Sequence, residues 1–435
     1  MRSHLRLVGA LAAFALLASG CAASSGTATD TVTYLTWETP QTNAAIDAAM
    51  ASLPATGVKL ERVPSPGYNY DQKIAALFLA NKAPDFFWCG NDTAQSLGQK
   101  GLLFDWNAYL SRRTNGMDPA GFVPGALDYW HGPDGGLYGL PTLVNTYGFY
   151  YNKKLLAKAG VPVPQPGWTY AQLFAAATAL TKADGHTGPG VVVDAHDGGW
   201  GSTLYGPFGI AQASLSAGGK PFENRPVGAD AVQTDQLFTQ TVEKLVTAIK
   251  AGEMTEPGAG SGDTTAAFSG GRTAMLFGGQ WLAPSIQQSK PAFGWGFAPM
   301  PENGRRVQPF DAVGICAPKT LRNPDQVWSV MTYLETTALA KVLAAAPVAP
   351  SAYAPASVTY FAAMKKVGDG SVGPTVQYEV SSPGKVGIRF VEPWATYANN
   401  ILKSSWDQML SGERPVGPTL ATTVRDINGI IPKNG

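Results

Sequence analysis

Charge is scarce in this chain. Asp, Glu, Lys and Arg together make up 14% of its 435 residues, and the formal net charge is +1. That excludes a nucleic-acid partner, which calls for a basic surface, and leaves no field to steer a highly charged ligand. Histidine is scarcer still. Of four, His4 sits in the N-terminal leader, and His131, His186 and His196 share no metal-ligand spacing. No metal and no cofactor is expected. The Gly-x-Ser-x-Gly elbow is missing, which counts against a serine hydrolase. Gly258-Ala259-Gly260-Ser261-Gly262 lacks the Lys-Ser/Thr ending of a phosphate loop and follows no strand, so it reads as a surface loop. Beyond the leader no apolar run can span a bilayer: the best, Ala338 to Ala349, is short and broken by Lys341 and Pro347. There is no internal repeat and no charge block.

What is present begins at the N-terminus. Arg2 and Arg6 make a positive start, Leu7 to Leu17 is an apolar run too short to span a membrane, and Ala18, Ser19 and Gly20 lead into Cys21. This resembles the lipobox of bacterial lipoproteins, with Ala18 standing where Leu is usual. An ordinary cleaved secretion signal is the alternative. Residues 1–20 are expected to be the signal peptide, Cys21 the lipidated residue, and residues 21–30, small and polar, a flexible tether. Either way the mature protein is exported. The lipid reading holds it by acyl chains at the outer face of the cytoplasmic membrane. Cys89 and Cys316 remain, and two cysteines in an exported protein can pair, although their spacing alone leaves the geometry open.

The body of the chain alternates. Val32 to Trp37, Val58 to Val63 and Asp85 to Trp88 read as strands, separated by helical patterns at Thr42–Leu53 and Tyr70–Lys82 and followed by one at Thr93–Lys100. Strand and helix in this order predict an α/β fold with parallel sheets covered by helices. The later chain repeats the character. Thr169 with Gln172 makes a capping-box pattern for a helix to about Lys182. Val191–Val193, Ala274–Phe277 and Trp295–Phe297 read as strands. Asp230–Lys250 is amphipathic at helical spacing, Asn323-Pro324 starts a helix through Leu334, and Trp394–Leu410 and Thr419–Ile430 are the last two. The length suits two or three domains.

Several blocks then match a known pattern in order along the chain: Asn81-Lys82-Ala83-Pro84-Asp85-Phe86-Phe87, Gly101-Leu102-Leu103, Leu137-Tyr138-Gly139-Leu140-Pro141, Tyr150-Tyr151-Asn152-Lys153, Gly167-Trp168-Thr169-Tyr170, Phe268 to Met275 with Trp281 after it, Phe297 to Pro301, and Ser411-Gly412-Glu413. The chain is similar to the family 1 bacterial extracellular solute-binding proteins, the maltose-binding type that feed ABC importers. The resemblance implies a two-lobed, periplasmic-binding-protein-like α/β fold of class II type, each lobe a mostly parallel sheet flanked by helices, with a ligand cleft between them. Chain crossings are expected near Leu143–Tyr147, Phe310–Val313 and Ala346–Ala352. The N-lobe would be residues 30–143 plus 314–345, and the C-lobe 146–311 plus 351–435. The expected function is capture of a mono-, di- or oligosaccharide by hinge closure and delivery to an ABC permease, by a monomer and without catalysis. A glycerophosphodiester or amino-sugar binder, and in another class a secreted glycoside hydrolase, are the alternatives. In this fold the strands carrying Cys89 and Cys316 are neighbours, so the two are expected to lie close, bridged or free.

A neutral sugar needs apolar platforms and fixed polar groups, and 11 Trp, 16 Tyr and 18 Phe beside few charges suit that task. Trp37 and Glu38 follow the first strand at its C-terminal edge, the cleft side, although Trp37 could also cap the core. Tyr68 follows the second strand in a Pro-Ser-Pro-Gly turn. Asp92 follows the third and, by resemblance, matches an aspartate that bonds sugar hydroxyls; the alternative is that Asn91 or Asp92 caps the next helix. Asn145 matches a cleft carboxylate of the family but is an amide here, with Tyr147 beside it. Trp200 sits on a Gly-rich loop. Trp281 matches an aromatic platform, with a core position in a Gln280–Ile286 helix as the alternative. Asp311 and Gly314 flank the second crossing, and Arg389 and Trp394 precede the late helix.

Overall fold

The chain enters a strand at its first described residues, in a computed structural model that describes residues 31–54, 58–65, 70–113, 116–183, 191–193, 234–254, 264–387 and 394–431. The first elements are β1 (Thr31–Leu35), α1 (Pro40–Met50), β2 (Lys59–Arg62), α2 (Tyr70–Leu79), β3 (Phe86–Gly90) and α3 (Asn91–Gln99). They continue with α4 (Asn107–Ser111), β4 (Leu140–Asn145), β5 (Tyr147–Asn152), α5 (Lys153–Lys158), α6 (Tyr170–Lys182), β6 (Val191–Val193) and α7 (Gln236–Lys250). Next are α8 (Thr264–Ser269), β7 (Met275–Gly279), α9 (Ala283–Ser289), β8 (Trp295–Ala298) and the long β9 (Val307–Cys316). The last are α10 (Pro324–Tyr333), α11 (Leu339–Ala345), α12 (Ser357–Met364), α13 (Val372–Val380), β10 (Gly384–Gly387), α14 (Ala395–Leu410) and α15 (Val416–Ile430).

Two sheets form among the described residues. One runs β10-β9-β3-β1-β2, with β4 also on β9, and the other runs β6-β7-β5-β8. Both are mixed. The β1–β2, β1–β3, β9–β10 and β6–β7 pairs are parallel. The strands that carry the chain between halves pair antiparallel: β4 and β3 with β9, and β5 with β7 and β8. A strand that brings the chain back from the other half enters its sheet from the opposite end, so the parallel order expected from the strand–helix alternation stops there.

The second sheet is covered on both faces. In β5, Tyr150 joins one apolar cluster with Leu276, Phe297, Tyr360 and Val376, while Phe149 and Tyr151 join another with Leu173, Val242 and Trp406. Successive side chains of a strand point to opposite faces, and here both faces are dry. That is why Tyr147–Tyr151 reads as a continuous apolar run rather than an alternating one. The first cluster also holds Ile46 and Met50 of α1, Trp328 and Met331 of α10, and Phe87 and Trp88.

Local signals hold where they were strong. Thr169 Oγ1 accepts from Gln172 N at 3.2 Å and Gln172 Oε1 accepts from Thr169 N at 2.7 Å, closing both halves of the capping box. Asp235 caps α7, accepting from Phe238 N at 2.9 Å. The helix expected from Thr93 starts two residues earlier, with Gly90 as its extended N-cap. The leader, the tether with Cys21, the Gly258–Gly262 run and the candidates Tyr68, Trp200 and Arg389 lie outside the described residues.

Candidate functional site

Parallel strands put their C-terminal ends on one edge, and β1 and β3 do so in register, Leu35 beside Phe87. Past β1, Thr36 is buried and bonds Asn43, whose amide donates to Glu38 O at 2.7 Å. Thr39 then caps α1, accepting from Thr42 N at 3.2 Å. This turn leaves Trp37 and Glu38 half-buried at the edge. The Trp37 ring stands edge-on to Tyr70, 5.1 Å between centroids, and the Tyr70 hydroxyl lies within bonding distance of Leu35 O and Trp88 O. Trp88 Nε1 donates to Glu38 Oε1 at 3.2 Å. Burial pushes the Glu38 carboxyl up to about 7, against the smaller opposing pull of the Trp88 bond.

Past β3, Asn91 and Asp92 form the first turn of α3. Asn91 is buried, and its Oδ1 accepts from Ala312 N at 3.4 Å, fastening this turn to β9. Asp92 folds back over Gly90, where an added Cβ would lie 2.5 Å from Asp92 Oδ1. The carboxylate therefore sits at the positive end of the helix, and Gly90, not Asp92 or Asn91, takes the cap position.

Between β4 and β5 the chain passes from one sheet to the other through Asn145, Thr146 and Tyr147. Asn145 is the β4 partner of Asp311 in β9, and its Oδ1 accepts from Gln280 Nε2 at 3.3 Å. On the second sheet the edge is Gly279 to Leu282, where β7 ends in a 3-10 turn (Gln280–Leu282) before α9. Trp281 is half-buried. Its ring lies over Gly279, where a Cβ would be 2.0 Å from it, and meets the Tyr147 ring edge-on at 5.5 Å. This arrangement sets two half-buried aromatics, a half-buried carboxyl and an aspartate at strand ends beside the crossing.

Residues 37–341 match the bacterial extracellular solute-binding protein family. The chain belongs to that family. Solved structures with a similar fold include an ABC substrate-binding protein of Listeria monocytogenes in complex with cycloalternan, 19% identical, with a TM-score of 0.76 over 92% of this chain and 98% of that one. The GacH receptor of Streptomyces glaucescens, solved unliganded and with acarbose, is 18% identical, with a TM-score of 0.73 over 93% and 98%. The cyclic α-maltosyl-1,6-maltose binding protein of Arthrobacter globiformis is 18% identical, with a TM-score of 0.72 over 93% and 99%. The fold of the chain is therefore the two-lobed one of these proteins.

Within this solute-binding protein the expected cleft residues divide. Trp37, Glu38, Asp92, Asn145 and Trp281 stand at strand ends or at the first crossing. Asp311 lies opposite Asn145 on β9. Three others take core positions. Tyr147 is 1% exposed, stacked on Phe277 and covered by Trp281. Trp394 is 9% exposed and packs in the second cluster at the start of α14. Gly314 is buried, and a Cβ there would meet the Trp130 ring at 2.2 Å and Leu140 O at 2.3 Å. Among the described residues each of these three surfaces is packed against protein. Cys89 and Cys316 are joined by a disulfide, with Cα atoms 6.0 Å apart across the β3–β9 ladder. Sequence reasoning missed Gln280 and Gln308. Only the assembled fold brings them to the crossings, so no local signal marks them.

Proposed function

We propose that this protein is the extracytoplasmic sugar-binding component of an ABC importer. Its lobes, residues 30–143 plus 314–345 and residues 146–311 plus 351–435, close on a neutral carbohydrate and release it unchanged to a membrane permease. Cys21 carries the lipid that holds the monomer at the outer face of the cytoplasmic membrane. Trp281 supplies the apolar platform for a sugar face, and Glu38 and Asp92 accept from hydroxyls. The ligand stabilises the closed form only through contacts it gains there, and rotation about the crossings supplies them.

The observation that carries this reading is the meeting of two sheet edges at Asn145, with Glu38 and Asp92 past the strands of one half and Trp281 past a strand of the other. The oligosaccharides bound by the Listeria and Streptomyces proteins of like fold support the ligand class. Thermal shift across maltooligosaccharides, cyclic glucans and monosaccharides tests it. A true ligand at 100 times its Kd adds about 2.7 kcal/mol and is recovered intact from the complex. Silence across the panel, or hydrolysis of a bound glycoside, overturns it.

A further inference from the structure

Gln280 is fully buried, and both ends of its amide are used. Its Oε1 accepts from Thr146 N at 2.6 Å and lies 3.1 Å from Thr146 Oγ1. Its Nε2 lies 3.3 Å from Asn145 Oδ1 and 3.2 Å from Val348 O. Its backbone N donates to Thr146 O at 3.2 Å. Gln280 belongs to the turn after β7, in the second half. Asn145 and Thr146 are the first crossing, and Val348 lies in the third. A second buried glutamine, Gln308 on β9, approaches the same node, its Nε2 3.4 Å from Asn145 O. The first and third strands of the hinge are also paired below the node, Val144 N to Pro350 O at 3.0 Å and Ala352 N to Thr142 O at 2.9 Å.

We infer that Gln280 is a hinge clasp: its side-chain amide ties the first and third crossings into one unit and so sets how far the lobes swing apart. The inference rests on the two-lobe closure proposed above. Rotation between lobes changes backbone torsions at a few crossing residues. At Asn145, Thr146 and Val348 any such change must keep or break bonds to one buried amide. Breaking them leaves buried polar groups without partners, which is far costlier than losing an exposed bond. The crossings therefore turn together or not at all, and intermediate geometries are disfavoured. Asn145 is accordingly a positioning residue for the hinge, whatever else its side chain meets.

The test reads lobe separation without any ligand. Spin labels at Lys82→Cys and Ser404→Cys, both exposed and one in each lobe, report a distance distribution in protein carrying Cys21→Ser. Wild type at the hinge should give one narrow distribution. Gln280→Leu should broaden it roughly twofold, since a hinge strand loses its tie, and Thr146→Val, which deletes only the hydroxyl contact, should broaden it less. Leu402→Ala, a cavity in the second-lobe core, should lower Tm and leave the width unchanged. Distributions for Gln280→Leu and Thr146→Val that superimpose on wild type overturn the clasp, as does equal broadening in Leu402→Ala. If Gln280→Leu does not fold, an unchanged width in Thr146→Val overturns it alone. Maltotriose added to wild type tests the other premise separately: a width that responds to Gln280→Leu while no panel sugar shifts the wild-type distance overturns the closure reading and not the clasp.

Discussion

Trp88 donates its indole N–H to Glu38 Oε1 across 3.2 Å, from β3 to the turn after β1. The bond fixes a carboxyl just past β1 whose proton affinity burial has raised to about 7 from an ordinary 4.5. Near neutrality Glu38 is divided between acid and carboxylate. A carboxylate accepts from sugar hydroxyls more strongly than a neutral acid does. Affinity for the sugar should therefore rise roughly threefold from about pH 6 to about pH 8. Calorimetric titration checks this, and Glu38→Gln should flatten the profile. A wild-type profile that is flat or falls with pH removes Glu38 from the ligand.

Two other carboxyls govern stability rather than binding. Glu335, in the π turn Leu334–Ala338, accepts from Thr142 Oγ1 at 2.6 Å, and Glu379 on α13 accepts from Met300 N at 2.8 Å. Both are buried, and burial pushes each up to about 8 from 4.5. The folded state thus holds protons that the unfolded chain releases between those values. Their contribution is complete below about pH 4.5 and is lost as pH rises through about 8. Tm should fall across that range. Glu379→Gln and Glu335→Gln, which imitate the protonated acids, should each make the fall shallower. Scanning calorimetry at several pH values decides it, and a Tm that climbs with pH contradicts it.

The disulfide offers a separate handle on stability. Cys89 and Cys316 are 227 residues apart in sequence and buried side by side in one sheet. Cross-linking a long loop restricts the unfolded chain, and loss of the bridge should cost about 2–5 kcal/mol. The β3–β9 pairing from Phe87–Cys316 to Gly90–Val313 holds the two strands together without it, so the fold should survive. Urea unfolding of the Cys89→Ser, Cys316→Ser double variant should show a lower midpoint and a steeper slope, because the uncrosslinked chain exposes more surface when it unfolds. An unchanged midpoint would mean that the bridge adds nothing to the native balance.

Much of the fold is legible in the sequence where local signals agree. Thr169 with Gln172 and Asn323 before Pro324 combine a start signal with helical spacing, the run Asp230–Lys250 shows the spacing alone, and each holds a helix, the last over Gln236–Lys250. Ser357–Met364 and Val372–Val380 are not legible. The first is apolar on nearly all sides, with Val358 exposed, and the second carries Gly373-Pro374 in its first turn. The position of Trp37, Glu38 and Asp92 just past parallel strands is readable, because such residues share one side of the sheet. Gly314 and Trp394 are not readable in the same way. What covers Gly314 is Trp130, more than a hundred residues earlier, and only the assembled sheet brings them together.

Trp281 carries the most direct prediction about binding. Its half-buried ring lies on Gly279 and covers Tyr147, and the proposed function makes its other face the sugar platform. Replacing it with alanine removes a stacking face and uncovers an aromatic the second core keeps dry. A stacked aromatic adds about 1 kcal/mol beyond its buried area, so Trp281→Ala should raise the sugar Kd roughly tenfold or more. Trp281→Phe keeps a ring over Gly279 and should recover most of that loss. The unliganded Tm separates the two roles. If both variants lose Tm equally and keep wild-type affinity, Trp281 is a core residue and the sugar platform lies elsewhere. If affinity falls in Trp281→Ala and returns in Trp281→Phe while Tm moves by only a few degrees, the ring faces the ligand.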